Sequence, residues 1–284
     1  MAVPGVFNAL VARMAERMGF RAVYQSGAAL SAGLAALPDV GLLSQTEFAE
    51  QGRYLAQAVD IPVISDADTG FGEPLAVERT VQLYEAAGLA GLHLEDQELP
   101  KRCGHLSGKS LVSTEAMVAK LHAAVSARRD PQFVIIARTD ARNASPGEEG
   151  LTAALRRAEA YFNAGADLVF TEALETPAEF ARFGREFPQK LVANMTEFGR
   201  SPLMTVAELD ACGYRLVLFP VTLFRVAMRA VEQSLLELAE QGSQTNFVGD
   251  MLTRAELYEL LGYATYDQRD QAYFGKPNSS APLA

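Results

Sequence analysis

The sequence predicts an α/β fold: a (β/α)8 barrel of the TIM type with an additional C-terminal helical segment. Short β-rich runs alternate with amphipathic helical stretches as far as residue 241, eight of each. Alternation of this kind implies a parallel sheet, and eight is the strand count that closes into a barrel. No glycine-rich dinucleotide turn follows the first run, which weighs against the alternative, a doubly wound open sheet.

Residues 1–5 read as a brief first strand and 7–18 as its helix. The second strand, 21–24, ends in Gln25-Ser26-Gly27-Ala28. A loop of small residues then runs to Leu37-Pro38-Asp39, ahead of a helix over 45–59. Strand three spans 62–66, with a helix from about 75 to 87, and strand four spans 90–95. After a charged, glycine-containing stretch come a helix over 114–128, strand five at 133–138 and its helix at 151–164. Strand six (167–170) precedes a helix at 177–187, and strand seven (191–194) a short helix at 206–211. Strand eight (214–219) leads into a long helix over 223–241. Several helical stretches end on glycine, among them those before Gly165 and Gly213, a common helix stop.

This pattern makes residues 1–242 a catalytic barrel, 243–275 a helical extension and 276–284 a disordered tail. In the extension, Thr253 is a plausible N-cap and Glu256 completes a capping box. Its apolar face of Leu257, Leu260 and Leu261 needs cover, from the chain's own barrel or from a neighbouring subunit. A net charge of −10 argues against a nucleic-acid surface. Two cysteines, 103 and 212, give neither a disulfide framework nor zinc spacing. No apolar run approaches the roughly 20 residues that span a bilayer, and the first residues lack a signal-peptide layout. A soluble, cytoplasmic protein without nucleic-acid or membrane partners is expected.

In a barrel the carboxyl ends of the strands line the active face. Here those ends read Ser26-Gly27, Asp66-Ala67-Asp68, His93-Leu94-Glu95, Arg138-Thr139-Asp140, Glu172 and Asn194-Met195-Thr196. Asp66 and Asp68 are two apart, so in an extended strand they share a face; His93 and Glu95 repeat the arrangement. Carboxylates with few imidazoles make a hard oxygen site that suits Mg2+, with Mn2+ also fitting. A hydrogen-bonded cluster without metal is the alternative. Arg138, Lys101, Arg102, Arg225 and Arg254 supply cations, and arginine grips carboxylates bidentately, so a small polycarboxylate substrate is indicated. Cys103 lies between Lys101-Arg102 and Gly104-His105, where cations favour a reactive thiolate and the glycines 104 and 108 favour a mobile flap.

Taken together, Asp66-Ala67-Asp68-Thr69-Gly70-Phe71-Gly72, His93-Leu94-Glu95-Asp96-Gln97, Lys101-Arg102-Cys103-Gly104-His105 and Asn194-Met195-Thr196-Glu197-Phe198-Gly199 resemble the isocitrate lyase / phosphoenolpyruvate mutase superfamily. The likeness is closest to its bacterial 2-methylisocitrate lyase branch and runs from about residue 3 to 262. The resemblance implies a Mg2+-dependent carbon–carbon lyase that yields pyruvate and succinate. It puts Asp66, Asp68 and Glu95 at the metal. Ser26, Gly27, Ala28, Cys103, Gly104, Arg138, Glu172, Asn194, Thr196, Arg225 and Arg254 fall on the substrate. It makes Cys103 the acid on the flap with Lys101, Arg102 and His105 beside it, Arg138 a charge stabiliser, and Tyr24, aided by cations, the base. It further implies a homotetramer with exchanged C-terminal helices. Related activities on isocitrate, 2,3-dimethylmalate, oxaloacetate or a phosphonate stay open, as does a barrel without turnover. Phe170 and Leu218 match apolar positions of the methyl-accepting members, which ranks methylisocitrate above isocitrate.

Overall fold

The structure, a computed structural model, describes residues 1–102, 104–105 and 108–275. The expected disordered tail at 276–284 and the thiol of Cys103 lie outside the described residues. Eight parallel strands follow one another around the sheet in chain order: β1 (Ala2–Pro4), β2 (Val23–Gln25), β3 (Val63–Asp66), β4 (Gly91–Glu95), β5 (Val134–Thr139), β6 (Leu168–Thr171), β7 (Leu191–Asn194) and β8 (Tyr214–Phe219). β1 pairs with β8, and a bridge between Gly5 and Tyr24 joins β1 to β2, with the Val6 amide donating to the Tyr24 carbonyl at 2.8 Å. The (β/α)8 architecture is therefore the one expected.

β3 and β4 are buried along their whole length, as strands covered on both faces must be. Two apolar layers result. Val3, Tyr24, Ile64, Ile136, Phe170, Val192, Leu216 and Leu218 form one cluster, which we take as the barrel interior. A larger cluster, including Phe48, Tyr84, Leu121, Tyr161, Phe180 and Phe183, packs between strands and helices. Those helices are α1 (Ala9–Arg17), α3 (Gln45–Ala58), α4 (Pro74–Ala86), α5 (Thr114–Ala127), α6 (Gly147–Asn163), α7 (Pro177–Glu186) and α8 (Val206–Ala211).

Two local expectations are corrected. The small-residue loop after strand two is a helix, α2 (Gly27–Ala35), whose N-cap Ser26 accepts a hydrogen bond from the Ala29 amide. Its run of alanine and glycine offers little amphipathic period, yet alanine is the best helix former and Ser26 is a strong cap. Asp68, placed in an extended strand with Asp66, instead follows the end of β3 in a left-handed turn at φ 46°. Its amide folds back onto Asp66 Oδ1 at 2.9 Å, so a turn rather than the pleat brings the two carboxylates together.

The chain divides into a first unit, Met1–Arg225, and a second, Val226–Ala284. α9 (Thr222–Gln241) begins in the first and continues in the second, which also holds α10 (Arg254–Leu261) and α11 (Tyr263–Tyr273). The Thr253 and Glu256 capping box forms as the sequence indicates. None of the second unit's described residues is buried.

Candidate active site

A cavity of about 530 Å3, counting its solvent-open part, is lined by strand ends and the loops beyond them. Tyr24, Ser26, Ala28, Asp66, Gly104, His105, Arg138, Glu172, Asn194, Thr196 and Arg225 all face it. Sequence reasoning had named each of them. Asp39, Pro220 and Val221 also line it, as do Phe170 and Leu218 from the interior layer. Gly27 and Asp68 contact Asp66, Lys101 contacts Asp39, and Glu95 contacts Arg138, three residues that line the cavity. Arg102 is exposed, its backbone clamped by Gln97, which donates to its carbonyl at 2.8 Å and accepts from its amide at 2.9 Å. Arg254 opens α10 and belongs to the other unit.

At the centre is an acidic cluster. Asp66 Oδ2 accepts from the Gly27 amide at 3.2 Å, and a Cβ on Gly27 would come within 2.6 Å of that oxygen. Burial opposes the charge on Asp66, but His93, Lys101 and Arg138 outweigh it and hold its pKa below the ordinary value. Since burial drives His93 itself towards the neutral ring, Lys101 and Arg138 are the lasting cations. Lys101, only 2% exposed, donates to Asp39 and pairs with Asp68; burial works against its charge, and Glu95, Asp66, Asp68 and Asp39 overcome it. Even so, burial and then Asp66 push Asp68 up to about 7. Burial likewise raises Glu95 well above its ordinary value.

Asp68 and Glu95 both have carboxylate oxygens without a well-aligned hydrogen bond, as do His93 Nδ1 and Asn194 Oδ1 nearby. Neither Glu95 carboxylate oxygen has a well-aligned hydrogen bond, although Arg138 Nη1 lies 3.0 Å from Oε2. Asp68 Oδ1 is in the same position beside Lys101. Each of these oxygens therefore has a buried cation as its neighbour. Among the described residues, no three His, Cys, Asp or Glu side chains converge tightly enough to enclose a metal by themselves. Asp66, Asp68 and Glu95 are buried oxygen donors, the kind of ligand Mg2+ takes one or two of while keeping several waters.

Around the cluster runs an alternating set of charges. Arg138 donates to Asp140 through Nε at 3.0 Å and Nη2 at 3.1 Å, and its Nη2 lies 3.3 Å from Glu172. Lys109 bridges the Asp140 carboxylate at 2.6 Å and the Gly104 carbonyl, tying the flap to β5. Asp96, fully buried, accepts from Thr139, the Asp140 amide, Arg157 and Tyr161. The sequence had a signal for Asp140, two residues beyond Arg138, and none for Lys109. Nothing in the order of residues says which flap cation turns inward.

The sequence reading makes Tyr24 the base, aided by cations. Its hydroxyl lies 2.7 Å from His93 Nε2 and 3.5 Å from Asp66 Oδ2. Burial first, and Asp66 second, raise its pKa well above that of an ordinary phenol. These surroundings favour the neutral phenol, whose hydroxyl donates to Asp66.

The phosphoenolpyruvate phosphomutase family profile matches residues 1–239. The chain belongs to the phosphoenolpyruvate mutase/isocitrate lyase superfamily. It is 52% identical to the probable 2-methylisocitrate lyase 1 of Corynebacterium glutamicum over 96% of this chain and 88% of the relative. Identity to the 2-methylisocitrate lyase of Aeropyrum pernix is 51%, over 94% of this chain and 84% of that one. Among solved structures it resembles a phosphonopyruvate hydrolase in complex with oxalate and Mg2+, with a TM-score of 0.83 and 34% identity, covering 96% of this chain and 92% of the other. In a (β/α)8 barrel the cavity at the carboxyl ends of the strands is the place to look for chemistry.

Proposed function

We propose that this protein is a Mg2+-dependent carbon–carbon lyase that cleaves 2-methylisocitrate to pyruvate and succinate. The observation that carries the reading is one cavity lined both by the buried carboxylates Asp66 and Glu172, with Arg138 beside them, and by an apolar wall of Phe170 and Leu218. Likeness to 2-methylisocitrate lyases over nearly the whole chain supports it. Asp66 and Asp68 would hold the metal, with Glu95 reaching it through water. When bound, Mg2+ supplies Lewis-acid stabilisation of charge on oxygen.

The chain's own groups do the rest. Ser26, Gly27 and Ala28 present the N-terminal turn of α2, a natural seat for a substrate carboxylate. Asn194, Thr196, Arg225 and Arg138 face the same space. Arg138 and Arg225 are already tied to protein oxygens, Arg225 to the Glu197 side chain at 2.9 Å, so either would exchange or share partners to grip substrate. Transfer of the substrate hydroxyl proton to water lets the neighbouring carbon–carbon bond break. The carbonyl of pyruvate forms, and the bond's electron pair goes to the succinate carbon, which takes a proton from Cys103. Oriented donors stabilise the charge that develops.

A methyl group in an apolar pocket is worth about 1–3 kcal/mol. Steady-state kinetics should therefore favour 2-methylisocitrate over isocitrate by roughly 10- to 200-fold in kcat/KM. Equal rates on the two, or a higher rate on 2,3-dimethylmalate, would overturn the substrate assignment. In assembly the reading is of a cytoplasmic homotetramer: a barrel of 1–242 whose helical extension, 243–275, is exchanged between subunits. The exposed Val231, Leu235 and Leu236 of α9 support it.

A further inference from the structure

We propose that the Gly199–Arg200 turn beyond β7 is a positioning element that fixes the tautomer of His105 and holds it against Glu172. His105 belongs to the flap, 95 residues away in sequence, and Arg200 reaches it twice. The Arg200 amide donates to His105 Nδ1 at 2.9 Å, and the Arg200 Nε donates to the His105 carbonyl at 3.2 Å. A ring nitrogen that accepts an N–H presents its lone pair, so the His105 proton sits on the other nitrogen, Nε2. Nε2 lies 2.9 Å from Glu172 Oε1. That approach is too poorly aligned to count as a directed hydrogen bond, so we describe it as a polar contact of an N–H with a carboxylate.

The turn itself is held from the opposite side. Glu197 is gripped by Thr222 and by Arg225, and Phe198 takes a left-handed φ of 61° with its ring 96% exposed. A bulky residue in that conformation is strained and persists only where its surroundings over-determine it. The arrangement leaves no room at position 199, where a Cβ would come within 2.6 Å of His105 Nδ1. Arg200 is anchored in turn by Asn143 at 3.2 Å and Glu175 at 3.5 Å.

Glu172 is the group that His105 meets. Asn194 donates to both its oxygens at 3.2 Å, and Arg138 lies alongside. Burial disfavours its charge, but Arg138 above all holds its carboxyl well below the usual range. Gly104 fits between Arg138 and Glu172 only because it lacks a side chain. The Gly199–Arg200 turn thus sets where Gly104 and His105 rest on the cavity, and Arg200 acts through His105 rather than on substrate.

The test has two readouts, of which only the second rests on the function proposed above. The chain has three histidines, so 15N-imidazole NMR of the substrate-free protein can resolve each ring. His105 should show a protonated Nε2 and a bare Nδ1. Gly199→Ala should displace the ring and Arg200→Ala should loosen it, both giving a tautomer mixture. A protonated Nδ1 in the native protein, or an unchanged pattern in both variants, would overturn the proposal. In turnover of 2-methylisocitrate, Arg200→Ala should lower kcat/KM by about tenfold to a hundredfold, the scale of a small misplacement. Arg200→Lys, which keeps one donor, should recover part of that loss. Full activity in Arg200→Ala would overturn the positioning role. A tautomer shift in the variants, with a native protein inactive on 2-methylisocitrate, would support the turn's role while refuting the substrate assignment.

Discussion

Lys101 and Arg138 are committed to the protein's own carboxylates. In the sequence, Lys101 and Arg102 are two reasons to expect a thiolate. In the structure the Lys101 ammonium is paired with Asp39 and Asp68, while the thiol lies outside the described residues. Cys103→Ser should lower turnover by about 10²–10⁴, the usual worth of a general acid, with dissociation constants for succinate little changed. Cys212→Ser, at the C-cap of α8, is the matched control and should stay near native activity. Equal losses in the two variants, measured by steady-state kinetics, would remove the Cys103 thiol from the mechanism. Residue types at strand ends announced most of the cavity lining. Their partnerships were not legible, because a lysine or tyrosine has the same letter whether it faces water or four carboxylates. Tyr24 shows this best: nearby cations could be guessed, but burial and Asp66 outweigh them.

The start of α2 matters beyond its own hydrogen bonds, since Gly27 supplies an amide to Asp66 and lacks the atom that would collide with it. Gly27→Ala should push the Asp66 carboxylate off its present position while leaving Ser26 as cap. Groups that orient a metal ligand are typically worth 10–100-fold in metal affinity, so the Mg2+ needed for half-maximal activity should rise by about that factor. An unchanged Mg2+ titration curve would show that Gly27 does not position the metal corner. Elements with a clear apolar period, such as α1, α3 and α7, were legible in the sequence to within a residue or two at each end. α2 was not, because Gly-Ala-Ala-Leu-Ser-Ala-Gly-Leu-Ala carries almost no polar face to set a period. The turn at Asp68 was hidden for another reason: a non-glycine residue at positive φ leaves no mark in the sequence.

At the scale of the molecule, the strand count closes the barrel, and the closed barrel gathers chemistry from strands far apart in sequence into one cavity. The order of the strands was legible because each parallel neighbour needs its own crossover helix. The second unit was legible as helical, through the Thr253 cap, but its apolar surface is a question about other copies of the chain. Val226, Leu235, Leu236 and Leu252 are each more than half exposed, so light scattering at micromolar concentration should read a tetramer, and a monomer would contradict the assembly. The central claim is that the buried carboxylates of β3 and β4 serve a divalent cation in carbon–carbon bond cleavage. Its most direct test is to strip the protein with a strong chelator and follow 2-methylisocitrate as Mg2+ is returned. The account predicts no cleavage without metal, then equal amounts of pyruvate and succinate whose rate of formation rises and saturates with Mg2+. Undiminished cleavage in the verified absence of metal, or no cleavage at any Mg2+ concentration, would contradict it.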